Sequence, residues 1–453
     1  MSRIFLISSN MIADPYPVYP LGMAVLAADL SSQGHAIHQF DYFAAAQSSE
    51  QLRSNLSRFR PDVVGISLRN IDNVDSTSPD NCWSLALNRD LVTMIREITD
   101  TPVVLGGPAF SIMPEAIVEY IDADYGIVGE GEPLFNGLIR QIGEGKKPDR
   151  VIRNRNNSHV DVNGPQPLWD RELIHFYRDR GGIVGLQTKR GCAHHCTYCT
   201  YPAVEGSKLR CMQPGRVADE VERLVKDFGI RSISFVDSVF NDPQSNYLSI
   251  AEELIHRELD IVWSAFFRPD RITRDELRLL TRSGLYMIEL GTDAVTDATL
   301  AELNKGFCFE KVIEFNQVSL QEQVPCLHYV MFGCPGESDL TVKEGLRNIE
   351  SLKSSIVMAF SGIRIFPGTI LHERSIKDGL VPEDGSLLSP LYYFSPNVDK
   401  ESMNDTIGKA FANRRDRIFP PSEGYIRLRA LKLFGFLGAL RSDVSVKKSF
   451  FSG

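Results

Sequence analysis

Gln187-Thr-Lys-Arg-Gly-Cys-Ala-His-His-Cys-Thr-Tyr-Cys-Thr-Tyr-Pro202 sets three cysteines, Cys192, Cys196 and Cys199, in one loop-sized segment just after an apolar, strand-like run, Gly182-Ile-Val-Gly-Leu186. Three thiolates this close suit a soft metal or an iron-sulfur cluster better than a structural cross-link. No fourth cysteine follows nearby, so one iron of a four-iron cluster would stay open to a substrate or co-substrate. Structural zinc is the competing reading. Zinc wants a fourth Cys or His at finger-like spacing, and His194 and His195 sit so close between the cysteines that they would strain a tetrahedron.

Downstream of this loop, apolar runs alternate with helical ones. Ser232–Asp237, Ile261–Arg268, Tyr286–Thr292, Val324–Gly333 and Val357–Phe366 read as strands, and Val217–Phe228 and Asp275–Arg282 as helices between them. With the run at Gly182 this makes six strands with helical runs between them, and the rule for parallel barrels puts chemistry at the carboxyl ends of the strands. Polar residues stand there: Asp237 and Ser238, Arg268 and Asp270, Glu289 and Thr292, and Gly333 to Glu337.

Upstream, Ile4–Ser8, His38–Tyr42, Val63–Ser67, Val103–Gly107 and Tyr125–Val128 read as strands, with a helix over Pro20–Leu30. The alternation predicts a doubly wound parallel sheet whose ligand lies beyond the strand carboxyl ends. No G-x-G-x-x-G loop opens a helix, which disfavours a nicotinamide dinucleotide. The domain boundaries expected are 1–141 for this sheet, 142–180 for a polar linker that Trp169 and His175-Phe-Tyr177 could dock, 181–372 for the barrel and 373–453 for a small, mainly helical C-terminal region.

The spacing C-x3-C-x2-C with Tyr198 before the last cysteine resembles the cluster loop of the radical S-adenosylmethionine (SAM) enzymes, and the resemblance implies that the six strands form that family's partial (β/α)6 barrel. Val64-Gly-Ile-Ser67, Val104-Leu-Gly-Gly107 and Gly126-Ile-Val-Gly-Glu-Gly-Glu132 resemble the cobalamin-binding domain that precedes some of those barrels. Phe235-Val-Asp-Ser-Val-Phe-Asn241, Asn304-Lys-Gly306, Phe332-Gly-Cys-Pro-Gly-Glu337 and Arg364-Ile-Phe-Pro-Gly-Thr369 extend the likeness to the cobalamin-dependent subgroup. One departure is Ala193, where many members carry Pro.

The resemblance implies three cofactors. Cys192, Cys196 and Cys199 would hold a 4Fe-4S cluster whose open iron chelates SAM. Asp237 suits the SAM amino group, Arg268 its carboxylate, Glu289 its ribose hydroxyls and Tyr198 its adenine, with Ser238 beside them; an ordinary Arg268–Asp270 ion pair and a solvating Glu289 are the plainer readings. Cobalamin would lie on Leu21, Gly22, Ser67, Leu68, Arg69, Asn70, Gly106, Gly107, Pro108, Gly129 and Glu130. The D-x-H-x-x-G motif that gives cobalt a histidine is absent, so Asn70 or Leu68 could cover its lower face.

The function implied is a methyltransferase that moves a methyl group from SAM, via methylcobalamin, to an unactivated carbon of a small-molecule or lipid-like substrate, after hydrogen abstraction by a 5'-deoxyadenosyl radical. Cyclisation, ring contraction and rearrangement are alternatives within the subgroup. A cobalamin or iron-sulfur regulator without turnover is the alternative of another class. A transfer RNA methylthiotransferase would need three more cysteines in the first domain, where Cys82 stands alone.

Composition sets the surroundings. The 453 residues carry a formal net charge of -9, which argues against nucleic acid as the main partner. Eight cysteines, five of them scattered, no signal-peptide pattern and no spanning run imply a reduced, cytoplasmic protein served by an electron donor such as flavodoxin or ferredoxin. Leu391-Tyr-Tyr-Phe-Ser-Pro396 could line a substrate cavity, though packing onto the barrel suits it better. The run Tyr425–Arg441 is helical in pattern, apolar on a wide face and basic at its edges. It suits a closing helix packed on a domain, or one that contacts a membrane surface.

Overall fold

The computed structural model describes residues 1–433 apart from 15, 79–82, 155–159 and 384, with side chains described as far as residue 427. Cys82 and most of the run expected to reach Arg441 therefore lie outside the described residues, and the membrane-surface expectation falls with them. Among the described residues no helix is long and apolar enough to cross a membrane.

The first sheet holds β1 (Arg3–Ser8), β2 (Ala36–Asp41), β3 (Val63–Ser67), β4 (Val103–Gly106), β5 (Tyr125–Ile127) and β6 (Val151–Ile152), in the order β2-β1-β3-β4-β5-β6 with every pair parallel. Its central strands are near-continuous apolar runs because helices cover both faces. Ile4, Leu6, Val63, Val104 and Ile127 pack on one face with Met23, Ala27 and Phe135; Phe5, Ile7, Val64, Ile66 and Leu105 pack on the other. The chain reverses its direction of travel across the sheet between β1 and β3. That switch point opens a crevice at Ser8 and Ser67.

The second sheet begins with β7 (Val184–Leu186). A short hairpin, β8 (Lys189–Arg190) with β9 (Arg210–Cys211), then brackets the cysteine loop. The sheet continues through β10 (Ser232–Phe235), β11 (Val262–Phe267), β12 (Leu285–Asp293), β13 (Cys326–Phe332) and β14 (Ile356–Ser361). A small ladder of β15 (Ile363–Arg364) on β16 (Tyr392–Tyr393) follows, and β17 (Arg417–Ile418) pairs parallel with β14. The order β17-β14-β13-β12-β11-β10-β7 leaves β7 and β17 as unpaired edges, so the barrel is incomplete.

Two stretches do more than the sequence suggests. The segment read as linker supplies β6 to the first sheet and a helix, Arg171–Asp179, started by the Asp170 side chain accepting from the Leu173 amide. Tyr177 hydroxyl donates to Asp41 at 3.0 Å, and Trp169 Nε1 donates to Glu220 on the helix Pro214–Phe228. The docking is thus onto both neighbours. The C-terminal region likewise adds β17 to the barrel and β16 to its rim.

Candidate active site

Backbone geometry fixes the cysteine loop. Gly191 has φ +87°, and a Cβ there would lie 2.2 Å from the Lys208 carbonyl oxygen, so only glycine lets the two arms of the hairpin approach. The Cys192 amide donates to the Gly206 carbonyl at 3.1 Å, and the Cys199 amide to that of Cys196 at 3.2 Å. Asn304 Nδ2 holds the His195 carbonyl at 2.8 Å, and the Thr197 amide donates to Leu303. Burial pushes the Cys199 thiol up to about 12 and raises that of Cys196; the neighbouring thiols add to it and Lys305 opposes it. Among the described residues no three Cys, His, Asp or Glu side chains close in on a single-ion site. A cluster of several irons is larger than one ion, and its ligands stand wider apart.

Asp237 takes a different place from the one expected. Its buried carboxylate accepts from the Thr188 amide at 2.7 Å, the Lys189 amide at 3.1 Å and the Thr188 hydroxyl, and lies 3.3 Å from Lys189 Nζ. Protein donors occupy both oxygens, so it ties the end of β10 to the segment entering the cysteine loop rather than facing a ligand. Ser238 Oγ reaches the Gly191 carbonyl at 3.3 Å on the same side. Arg268 pairs with Asp270 at 3.0 Å, donates to the Lys305 carbonyl at 2.6 Å and lies 5.0 Å from the Phe307 ring centroid.

Tyr198 hydroxyl donates to Asp293 Oδ2 at 2.7 Å, and Lys305 pairs with the same carboxylate. Sequence reasoning gave neither Asp293 nor Lys305 a role. Asp293 falls one residue past the expected end of its strand, and Lys305 lay inside Asn304-Lys-Gly306, quoted above without an assignment. Glu289 stands apart from this group. It accepts from Tyr329 hydroxyl at 2.9 Å and from Ser264 at 3.4 Å, and burial raises its carboxyl.

A cavity of about 370 Å³ joins the two sheets at the switch point. Ser8, Asn10, Leu21, Gly22, Ser67, Arg69, Gly106, Gly107, Pro108, Gly129 and Glu130 line one side; Gly185, Gln187, Arg190, Tyr201, Val204 and Val236 line the other. Leu68 and Asn70 are not on its wall. Leu68 is 1% exposed in the core, and the Asn70 carbonyl accepts from Ser84 at 2.6 Å. The alternating direction of side chains turns Arg69, between them, into the cleft, where it makes no ion pair among the described residues. Burial there lowers its pKa. Glu130 is already engaged: burial pushes its carboxyl up, but the Val160 amide, Arg190 and Arg210 outweigh this and hold it below its ordinary value.

The family model of the B12 binding domain matches residues 9–139, and that of the radical SAM superfamily matches residues 186–349. This chain carries a B12 binding domain followed by a radical SAM domain. Among relatives of this radical SAM protein, a tryptophan 2-C-methyltransferase of Streptomyces laurentii is 23% identical over 80% of this chain and 73% of its own. An anaerobic magnesium-protoporphyrin IX monomethyl ester cyclase of Rubrivivax gelatinosus is 27% identical, over 68% and 57%. A radical SAM methyltransferase of Kitasatospora setae, solved with tryptophan substrate and a SAM analogue bound, superposes with a TM-score of 0.83 at 24% identity, covering 97% of each chain. The fold expected from the sequence is thereby shown.

The matched domains imply cobalamin and SAM, a radical SAM methyltransferase of Kitasatospora setae is solved with cobalamin and a [4Fe-4S] cluster bound, and the residues present here fit such groups. Three thiols on one loop, Cys192, Cys196 and Cys199, are the donor set of a cluster with an open iron. Gly22 faces open space, where an added Cβ would meet nothing within 4 Å, while one at Gly107, φ +95°, would strike the Leu68 carbonyl at 2.5 Å. Glycines therefore bring backbone up to the cleft on the strand ends where cobalamin would sit.

Proposed function

We propose that this protein is a cobalamin-dependent radical SAM methyltransferase acting on an unactivated carbon of a small-molecule or lipid-like substrate. The observation that carries the reading is that Tyr201, two residues beyond Cys199, lines the same cavity as the switch-point residues Ser67, Arg69 and Gly107. The two cofactor stations open onto one space between the domains, and a substrate held there can meet both.

When bound, the cofactors supply a hydrogen-abstracting radical and a methyl carrier. The chain's own residues orient and screen them. Cys192, Cys196 and Cys199 would hold the cluster, and Asp237 and Gly191 fix the geometry of their loop. Lys305 and Arg268 bring positive charge beside the thiolates, and Tyr198, held by Asp293, offers a ring for adenine. Gly22, Gly106 and Gly107 would admit the nucleotide tail, and Arg69 would face the corrin from the end of β3. An electron donor of the flavodoxin or ferredoxin kind would reduce the cluster. Radical cyclisation is the second reading, supported by the protoporphyrin cyclase relative.

The test is anaerobic reconstitution with iron, sulfide and hydroxocobalamin, followed by incubation with methyl-deuterated SAM and reductant. Retained cobalamin together with turnover of SAM to S-adenosylhomocysteine and 5'-deoxyadenosine, the latter lost in Cys196→Ala, is the expected result. Cluster without cobalamin, or cofactors without turnover, would overturn the proposal.

A further inference from the structure

The inner face of the barrel carries a group of side chains set apart from the cysteine loop. Strand register sets Phe266, Glu289 and Leu327 side by side on β11, β12 and β13, and Tyr329 follows Leu327 on the same face. Phe266 and Tyr329 stack with centroids 5.8 Å apart, and Phe360 on β14 lies 6.5 Å from Tyr329. Tyr286 lies close enough to Glu289 to feel its charge, as does Tyr16, which reaches in from the loop after β1. Phe266 is 39% exposed despite standing on an interior face, so its ring is not part of the packed core.

Among the described residues, one acid in the box has no counter-charge. Asp72, Asp237 and Asp293 each pair with a buried Arg or Lys. Glu289 is 3% exposed and, among the described residues, has only the hydroxyls of Tyr329 and Ser264 as partners. A desolvated carboxyl ringed by aromatic faces lacks one thing, a cation. An ammonium group would supply the ion pair, and the negative faces of Phe266 and Tyr329 would attract it further.

We propose that Glu289 and the ring of Tyr16, Phe266, Tyr286, Tyr329 and Phe360 form the substrate-recognition pocket, and that the substrate joins an apolar or aromatic body to a protonated amine. The proposal rests on the methyltransferase reading of the adjoining cleft and names the chemistry that reading leaves open. Glu289 is a specificity-determining residue here, distinct from the Tyr198–Asp293–Lys305 group beside the cysteines.

The test uses reconstituted holoenzyme and two probes of matched shape, 2-phenylethylamine and 2-phenylethanol, titrated calorimetrically without reductant so that no turnover is needed. The expected result is saturable binding of the amine at least tenfold tighter than the alcohol, with the preference abolished in Glu289→Gln. Circular dichroism and cobalamin content confirm that the variant is folded. Should that variant fail to fold, Phe266→Leu, on an exposed side chain, must narrow the preference at least threefold. Equal affinities, no saturable amine binding, a preference that survives Glu289→Gln, or one unchanged in Phe266→Leu each overturn the proposal. Cobalamin retention and SAM turnover, measured separately, report on the methyltransferase reading alone, so the two failures are distinguishable.

Discussion

Glu337 shows how one residue's surroundings can set a pH response. Its carboxylate caps the turn after β13 by accepting the Gly333 amide at 2.5 Å and that of Cys334 at 2.9 Å, yet burial dominates and lifts its pKa from 4.5 to about 7. Between those values the folded protein holds a proton that the unfolded chain has released. Stability therefore falls as pH rises through that window, by roughly 3 kcal/mol once Glu337 is ionised. Glutamine can accept the same two amides and does not titrate. Melting temperatures of wild type and Glu337→Gln at about pH 5 and about pH 8 should show wild type losing stability relative to the variant; parallel changes would refute it. At this scale the cysteines were legible because their chemistry is written within eight consecutive residues. Asp293 and Lys305 were not, because only folding brings β12 and the 304–306 turn against Tyr198. Asp237 was misplaced for the converse reason: a carboxylate at a strand end reads as available until the Thr188 and Lys189 amides are seen to occupy it.

Whole elements were legible where hydrophobic period and length agree. All five strands expected in the first sheet and all six in the barrel are present, because strands buried on both faces must be apolar throughout. The two-residue strands β6 and β17 were not legible: edge pairings inside charged segments leave no apolar run to read. Helix starts are plainer. The helix Arg274–Arg282 opens with a capping box, in which Glu276 accepts from the Thr273 amide at 2.7 Å and Thr273 Oγ1 accepts from the Glu276 amide at 3.3 Å. Its buried contacts are Leu277 and Leu280 alone, so the cap is a sizeable share of what holds it. Thr273→Ala should cost about 1 kcal/mol, read as a lower urea midpoint with unchanged slope and unchanged iron content. Loss of iron would mean that the helix end communicates with the cysteine loop.

At the scale of the molecule, the cofactor cleft exists only while the two sheets are held together, and buried charge does much of the holding. On one side Glu130 pairs with Arg190 at 3.1 Å and Arg210 at 2.8 Å, and Arg190 also meets Glu132 at 2.7 Å. On the other, Asp72 from the loop after β3 pairs with Arg364 of β15 at 2.9 Å, with both side chains almost wholly buried, and Trp83 Nε1 donates to the Leu388 carbonyl at 2.8 Å. Composition could not reveal these clamps, since each joins residues far apart in sequence. Breaking one side of a buried pair strands the other charge, so Asp72→Ala should cost about 3–5 kcal/mol, while Asp72→Leu with Arg364→Met should recover most of it. The functional loss should be selective. Cobalamin would lie between walls from both domains, whereas the cluster would be held within one loop of the barrel. Asp72→Ala should therefore lose cobalamin before it loses iron, measured by metal analysis after gel filtration of the reconstituted protein. A variant that sheds iron first, or both in step, would show that the Asp72–Arg364 pair supports the barrel itself rather than the closure of the cleft.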